Sequence, residues 1–128
     1  MNTKSKFALA IIASAALGAA TMQGLHAQAK PKAYSISELE PLDTAAAAAF
    51  APLATAASKA AGGRSLGTGG GRVVSLDKVA APKRVAITEW DNLEQAQAYF
   101  KSKAWTDLAP QRDKAVKEVP RYVVEVRN

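Results

Sequence analysis

The order of predicted strands and helices along this sequence places it in the α+β class, with an antiparallel sheet. Two observations lead to this prediction. Apolar and polar residues alternate at both ends of the domain, over 33–39 and 121–127, and a strand-like segment at 84–90 lies between two helical regions. The order is strand, helix, short strands, strand, helix, strand, which is the split βαβ or ferredoxin-like pattern. Right-handed crossovers predict that both helices lie on one face of the sheet.

The first strand and the helix after it follow from alternation and from helix-end signals. The strand has Tyr34 and Ile36 on one side and Ser35 and Ser37 on the other. Asp43 or Thr44 is predicted to cap the helix, because their side-chain oxygens accept a free first-turn N–H. Gly62-Gly63 ends it near Ala61, since glycine adopts the left-handed conformation freely. The predicted buried stripe consists of Ala46, Phe50, Leu53, Ala57 and Ala60.

Two short strands, 64–66 and 72–76, are predicted on either side of a glycine cluster at 67–71. A glycine cluster is also found in phosphate-binding loops. Here no Lys-Ser or Lys-Thr pair follows it, and the next segment is strand-like rather than helical. The composition therefore favours a turn or bulge between paired strands.

The segment 84–90 is predicted to be the central strand, with apolar residues on both faces. Val85 and Ile87 lie on one face, and Ala86, Thr88 and Trp90 on the other. Such a strand is normally covered on both sides. Asp91 and Glu94 are predicted to form a capping box for the next helix, and a second helical piece follows Ser102. Because the helices cover one face only, the other face needs a different cover. We therefore predict an isologous homodimer, in which a second copy of the sheet covers it.

The N-terminal residues predict export. A short basic region with Lys4 and Lys6 precedes an apolar run, and the small-x-small triplet 27–29 follows it. The run is alanine-rich and shorter than the ~20 strongly apolar residues of a spanning helix, so no stable membrane anchor is expected. We therefore predict a Sec-type signal peptide over 1–29, one domain over 30–128, and a periplasmic or secreted protein.

The composition after cleavage excludes several kinds of chemistry. The single histidine, His26, and both methionines lie before residue 30, and the chain has no cysteine. The domain therefore lacks Ser-His and Cys-His nucleophilic systems and the usual ligands of zinc, copper and haem. No metal or cofactor is expected, although carboxylates leave a hard cation or acid/base chemistry open. The net charge of +6 falls to +4 when Lys4 and Lys6 are removed. That charge is spread along the chain, which disfavours nucleic-acid binding.

Several short motifs occur in a characteristic order between Lys32 and Arg127. They are Ala33-Tyr34, Gly62-Gly63-Arg64, Pro82-Lys83-Arg84-Val85, Thr88-Glu89-Trp90, Ala98-Tyr99-Phe100, Ser102 with Trp105, and Arg112. With these motifs the chain resembles the domain-of-unknown-function family 1330, of the dimeric α+β-barrel superfamily with a ferredoxin-like fold. Ala61 stands where some relatives have a histidine, so any role of that histidine is missing here. The resemblance implies a dimer and no agreed activity.

Four residues are candidates for ligand binding. Tyr34, Arg64 and Glu89 lie at strand ends near the expected dimer cavity, and Arg112 falls where the family carries an arginine. A structural ion pair is the simpler explanation for Glu89 and Arg64, because such pairs perturb pKa values without catalysing anything. No catalytic residue is assigned.

Three hypotheses for function remain open at this point. The first is a dimer that binds a small, partly apolar molecule in its inter-sheet cavity. The second is a cofactor-free enzyme acting on a small activated substrate, with Glu89 as acid or base. The third is a weak polyanion or surface binder that uses the positive charge.

Overall fold

The sheet is built around its first strand. In the computed structural model, which describes residues 29–117 and 120–127, β1 (Ala33–Pro41) pairs with β3 (Arg84–Trp90) on one side. On its other side β1 pairs with β5 (Arg121–Glu125), and the end of β1 pairs with β4 (Val116–Lys117). The edge strand β2 (Arg64–Ser65) pairs with β3, and all pairings are antiparallel. This is the ferredoxin-like strand order, so the predicted α+β class is confirmed.

Four helices connect these strands. They are α1 (Thr44–Ala60), α2 (Leu93–Lys101), α3 (Lys103–Thr106) and α4 (Ala109–Ala115), and a 3₁₀ turn covers Thr68–Gly70. None of the helices within the described residues is long and apolar enough to cross a membrane. The predicted signal peptide lies outside the described residues, apart from Ala29.

The register of the sheet separates its side chains into two faces. The face that we call helix-free carries Tyr34, Ile36, Glu38, Val85, Ile87, Glu89, Tyr122 and Val124. The opposite, helix-covered face carries Ser35, Ser37, Ala86, Thr88, Trp90, Arg121 and Val123. On the helix-free face Tyr122 and Val124 are about half exposed, at 50% and 48%. Apart from Glu38 and Glu89 this face is mainly apolar or aromatic, and no helix of the described residues covers it.

Trp90 is the centre of the core on the helix-covered face. Its side chain is fully buried and packs against Tyr99 of α2, with the ring centroids 5.1 Å apart. Its Nε1–H donates to Ser35 Oγ at 2.9 Å. Gly63 approaches so closely that an added Cβ would lie 2.8 Å from both Thr88 Cγ2 and Trp90 Cη2. Trp90 is therefore the anchor of the core on this face.

The capping predictions are right for α1 and wrong for α2. Asp43 caps α1 by accepting a hydrogen bond from Ala46 N at 2.7 Å. On α2, however, the cap is Asn92, which accepts from Gln95 N, and Gln95 Oε1 reaches back to Asp91 N. The capping box is shifted by one residue because the Asp91 carboxylate pairs with Arg64 Nη2 at 2.9 Å.

The predicted strand at 72–76 is wrong, and the strand at 64–66 is one residue shorter than expected. Leu66 N donates to Ile87 O, and the Thr68 hydroxyl donates to Val85 O (2.7 Å) and accepts from Ile87 N (3.0 Å). These bonds occupy the edge of β3, so a further strand finds no free backbone groups there.

The buried stripe predicted for α1 is partly wrong. Phe50 is buried as expected, but Leu53 is 44% exposed and Ser58 is buried instead. The chain folds back onto Ser58, whose carbonyl accepts from Gly63 N at 2.8 Å. The Ser58 hydroxyl donates to Thr55 O, so this buried polar group is satisfied inside the helix.

Candidate functional site

Glu89 is the centre of a hydrogen-bonded cluster at the end of the helix-free face. Its carboxylate accepts from Lys32 Nζ (2.9 Å), the Tyr34 hydroxyl (2.8 Å) and Arg64 Nε (2.8 Å). The register explains this convergence, since Tyr34 on β1 and Arg64 on β2 are both opposite Glu89 on β3. Three of the four predicted site residues are thus brought together.

The electrostatics of this cluster favour a permanently ionised carboxylate. The hydrogen bonds from Lys32, Tyr34 and Arg64 lower the pKa of Glu89 from 4.5 to about 2. The same contact with Glu89 raises the pKa of the Tyr34 hydroxyl. Such a weakly basic carboxylate, with three donors already in place, is a poor proton acceptor near neutral pH.

Arg112 does not belong to the Glu89 cluster. It lies on α4, where its guanidinium carbon is 4.8 Å from the centroid of the Trp105 ring. Its Nε is 3.6 Å from Asp113 Oδ1. Arg121 of β5 lies over the same ring at 4.4 Å, and its Nε donates to Ser37 Oγ at 2.9 Å. Arg112 and Arg121 therefore meet at Trp105, on the side of the sheet that the helices cover.

A cavity of about 410 Å³ lies between α1 and the helix-covered face. Small residues of α1, among them Ala47, Ala51 and Ala54, form one wall. The floor carries hydroxyl groups, and the far wall is aromatic, with Tyr99, Phe100 and Trp105. Because alanine side chains are short, α1 leaves space above the sheet instead of filling it. We call this space the helix-side cavity.

The helix-side cavity has polar groups with unused hydrogen-bonding capacity. Ser35 and Ser37 on its floor accept from Trp90 Nε1 and Arg121 Nε, and each hydroxyl keeps its own proton to donate. Tyr99, which is 3% exposed, has a buried hydroxyl with no hydrogen-bond partner in the part of the chain that the structure describes. Burial raises the pKa of this hydroxyl, so it stays protonated and able to donate.

The serine side of β1 is a sequence signal for this cavity. Ser35 and Ser37 were assigned to the polar side of the strand, and the structure places that side under the helices. A strand whose hydroxyl side faces the core indicates either buried hydrogen bonds or a binding site. Tyr99 and Arg121 were missed because only the tertiary fold brings α2 and β5 to these serines. Among the described residues, no group of three or more His, Cys, Asp or Glu side chains could hold a metal ion.

The family model of DUF1330, a domain of unknown function, matches residues 32–126 of this chain. No curated protein matches this chain.

Solved structures give a second comparison. The chain aligns with the methylated RPA0582 protein at 15% identity and a TM-score of 0.58, over 84% of this chain and 90% of that one. It aligns with a further structure of RPA0582, a protein of unknown function from Rhodopseudomonas palustris, at 11% identity and a TM-score of 0.52, over 84% and 91%. A dimeric ferredoxin-like protein of unknown function from Bacteroides fragilis aligns at 10% identity and a TM-score of 0.45, over 79% and 98%. At these identities the two RPA0582 structures show the fold alone.

Proposed function

This chain belongs to the DUF1330 family, and we propose that it binds a small, partly apolar molecule in the helix-side cavity. The observation that carries the proposal is the cavity itself, whose lining includes Tyr99, a residue whose buried hydroxyl has no hydrogen-bond partner among the described residues. A buried donor without an acceptor is unfavourable, and a ligand oxygen would satisfy it. The volume of about 410 Å³ lies within the range of roughly 300–1,000 Å³ that is usual for small-molecule sites.

The character of the lining supports a ligand with both apolar and polar parts. Phe100 and Trp105 offer apolar ring surface, whereas Ser35, Ser37 and Tyr99 offer hydroxyl donors. This arrangement, an apolar wall with a few convergent polar groups, is typical of binding sites. The sequence had suggested an inter-sheet cavity in the dimer. The cavity that supports the present proposal lies within one chain, on the other side of the sheet.

The geometry gives little support to an enzyme that uses Glu89 as acid or base. Glu89 lies on the helix-free face and the helix-side cavity lies on the opposite face. Its pKa of about 2 also makes it a weak base. We therefore place the cluster of Lys32, Tyr34, Arg64 and Glu89 in a structural role.

A paired substitution on α1 tests the binding proposal. Ala54 lines the helix-side cavity, and Ala56 is exposed on the same helix. Ala54→Leu should abolish binding of a neutral probe, phenylacetamide, in saturation-transfer NMR, because the larger side chain fills the cavity. Ala56→Leu adds the same atoms outside the cavity and should bind like the unmodified protein. Equal binding by both variants, or no binding of this or related neutral amides by the unmodified protein, would overturn the proposal.

We further propose that two copies associate through their helix-free faces. This face is largely apolar, and beyond Tyr122 and Val124 it includes Val126, which is 42% exposed. Leu66, 51% exposed, lies beside Ile87 at the edge of the same sheet. A contiguous apolar sheet surface is normally covered by a partner, and an isologous pair would place each face against its own copy.

Export is the third part of the proposal. It is supported by the basic and apolar N-terminal pattern and by the Ala27-Gln28-Ala29 triplet. The described unit from Pro31 onward contains all the strands and helices of the domain, so cleavage before Lys30 removes none of them. Intact-mass measurement of material from the periplasm should give a chain that begins at Lys30. A mass that retains Met1 to Ala29 would refute this part.

A further inference from the structure

A second recess adjoins the helix-side cavity and differs from it in charge. It has a volume of about 460 Å³ and is lined by three cationic side chains and one carboxylate, namely Arg112, Lys117, Arg121 and Asp113. We call it the arginine recess. Its other lining residues, Leu39, Trp105 and Val116, are also part of the helix-side cavity, as is Arg121. The two spaces therefore meet at Trp105 and Arg121.

Arg112 is the least satisfied group of the recess. Its side chain is 22% exposed, and its Nη1 is buried with no hydrogen-bond partner in the described part of the chain. The carboxylate beside it, Asp113, is 74% exposed and contacts only the Nε side of the guanidinium, at 3.6 Å. Arg112 Nη1 thus lacks the acceptor that a buried guanidinium nitrogen normally has.

Trp105 contacts two positive charges that both line the recess. The guanidinium carbons of Arg112 and Arg121 are 4.8 and 4.4 Å from the same ring centroid. The ring attracts each cation, and both guanidinium groups line the same recess, so their positive charges attract an anion there. An anion bound in the recess would also supply the missing acceptor for Arg112.

From this geometry we infer the chemical class of the ligand, an inference that rests on the proposed function of the helix-side cavity. The ligand is a small carboxylic acid whose carboxylate lies in the arginine recess and whose apolar part lies in the helix-side cavity. A planar carboxylate matches the fork of the arginine guanidinium. A polyanion fits less well, because Arg112 is recessed rather than displayed on an open surface.

A matched pair of probes separates this inference from the proposal that it rests on. Phenylacetate and phenylacetamide have nearly the same shape, but only the first carries a charge. Titrations followed by isothermal calorimetry should give phenylacetate a dissociation constant about tenfold lower, as expected for a hydrogen bond to a charged partner. Acetate, which lacks the apolar part, should bind much more weakly than phenylacetate.

Substitutions then assign the preference to Arg112. Arg112→Met keeps the apolar stem and should lower the acid-to-amide ratio severalfold, with Arg121 and Lys117 still lining the recess, while phenylacetamide still binds. Lys114→Met removes a charge from an exposed position on the same helix and should leave the ratio unchanged. If Arg112→Met unfolds, Arg112→Lys keeps the charge without the fork and should lower the ratio only in part.

The outcomes distinguish the two claims. Binding of both probes with equal affinity in the unmodified protein would overturn the carboxylate inference and leave the proposed function intact. The same inference fails if the ratio persists in Arg112→Met, or if acetate binds as tightly as phenylacetate. Absence of binding for both probes would overturn the proposed function and this inference together.

Discussion

In most sheets the face under the helices is apolar and the uncovered face is polar. In this sheet the polarity of the two faces is reversed. The helix-free face is largely apolar, with Ile36, Ile87 and Val124 in its centre, and it carries two carboxylates, Glu38 and Glu89, of which Glu89 accepts from three donors. The helix-covered face carries the hydroxyls of Ser35 and Ser37 and borders two cavities. The helices above it contribute Tyr99 and Arg112, whose buried polar atoms have no hydrogen-bond partner among the described residues.

This difference indicates what each face is suited to contact. An apolar surface gains free energy when another apolar surface covers it, so the largely apolar helix-free face is suited to a second protein chain. A polar surface under helices that do not fill the space is suited to a small molecule. Association and ligand binding should then be separable by mutation, because they use opposite sides of β1 and β3.

The largest effect is expected for a charge placed on the helix-free face. Val124→Asp should abolish the dimer, weakening association more than about 100-fold, because the interface would bury an unpaired carboxylate. Sedimentation velocity at micromolar concentration measures this. Val74→Asp is the control, since Val74 is exposed in a loop outside the sheet. A dimer that survives Val124→Asp, or an unmodified protein that is monomeric, would contradict the proposed interface.

The next effect concerns the closely packed end of the helix-covered face. Gly63→Ala should lower the free energy of unfolding by about 1–3 kcal/mol, because the new Cβ would overlap Thr88 and Trp90. Gly70→Ala should have little effect, because a Cβ there would meet no heavy atom within 4 Å. Chemical denaturation of both variants gives the comparison. Equal stability of the two variants would show that this end of the face is as loosely packed as the cavity.

A smaller effect is expected when the charge of the Glu89 cluster is removed. Glu89→Gln should lower the melting temperature, because Lys32 and Arg64 lose their shared carboxylate. It should leave probe binding unchanged, since the helix-side cavity is on the other face. Loss of binding with an unchanged melting temperature would instead assign the cluster a functional role.

The smallest effect is a dependence of stability on acidity. The pKa of Glu89 is lowered from 4.5 to about 2 in the folded protein, so the unfolded chain binds the proton more readily. The stabilisation from Glu89 is therefore complete above about pH 4.5 and is lost as the pH falls towards 2. Denaturation curves between pH 4.5 and 2 measure the free energy of unfolding. In the Glu89→Gln variant this free energy should no longer show the decrease that comes from protonation of Glu89. An identical pH dependence in the variant would show that other carboxylates account for it.

The sequence was sufficient for the elements that depend on local pattern. The alternation of β1 and β5, the Asp43 cap and the glycine end of α1 were all predicted correctly. The predictions failed where a distant residue changed a local preference. Asp91 and Asn92 are both good capping residues, and the pairing of Asp91 with Arg64 from β2 leaves the cap to Asn92. No local pattern contains that information.

The candidate site was only partly predictable for the same reason. Tyr34, Arg64 and Glu89 were correctly expected near one another, because strand alternation and pairing order fix their positions. The helix-side cavity depends on the distance between α1 and the sheet, which an alanine-rich helix pattern does not determine. The meeting of Arg112 and Arg121 at Trp105 requires α3, α4 and β5 to converge, and their sequence spacing gives no sign of it.

The hydroxyl of Thr68 blocks part of one sheet edge against pairing with another molecule. By bonding Val85 O and Ile87 N, it occupies backbone groups that the outer edge of β3 would otherwise offer to a strand from another molecule. Exposed sheet edges of this kind nucleate open-ended assemblies, whereas face-to-face association through an isologous surface stops at two copies. One side-chain oxygen thus blocks part of an open edge and leaves the helix-free face as the surface of the proposed dimer.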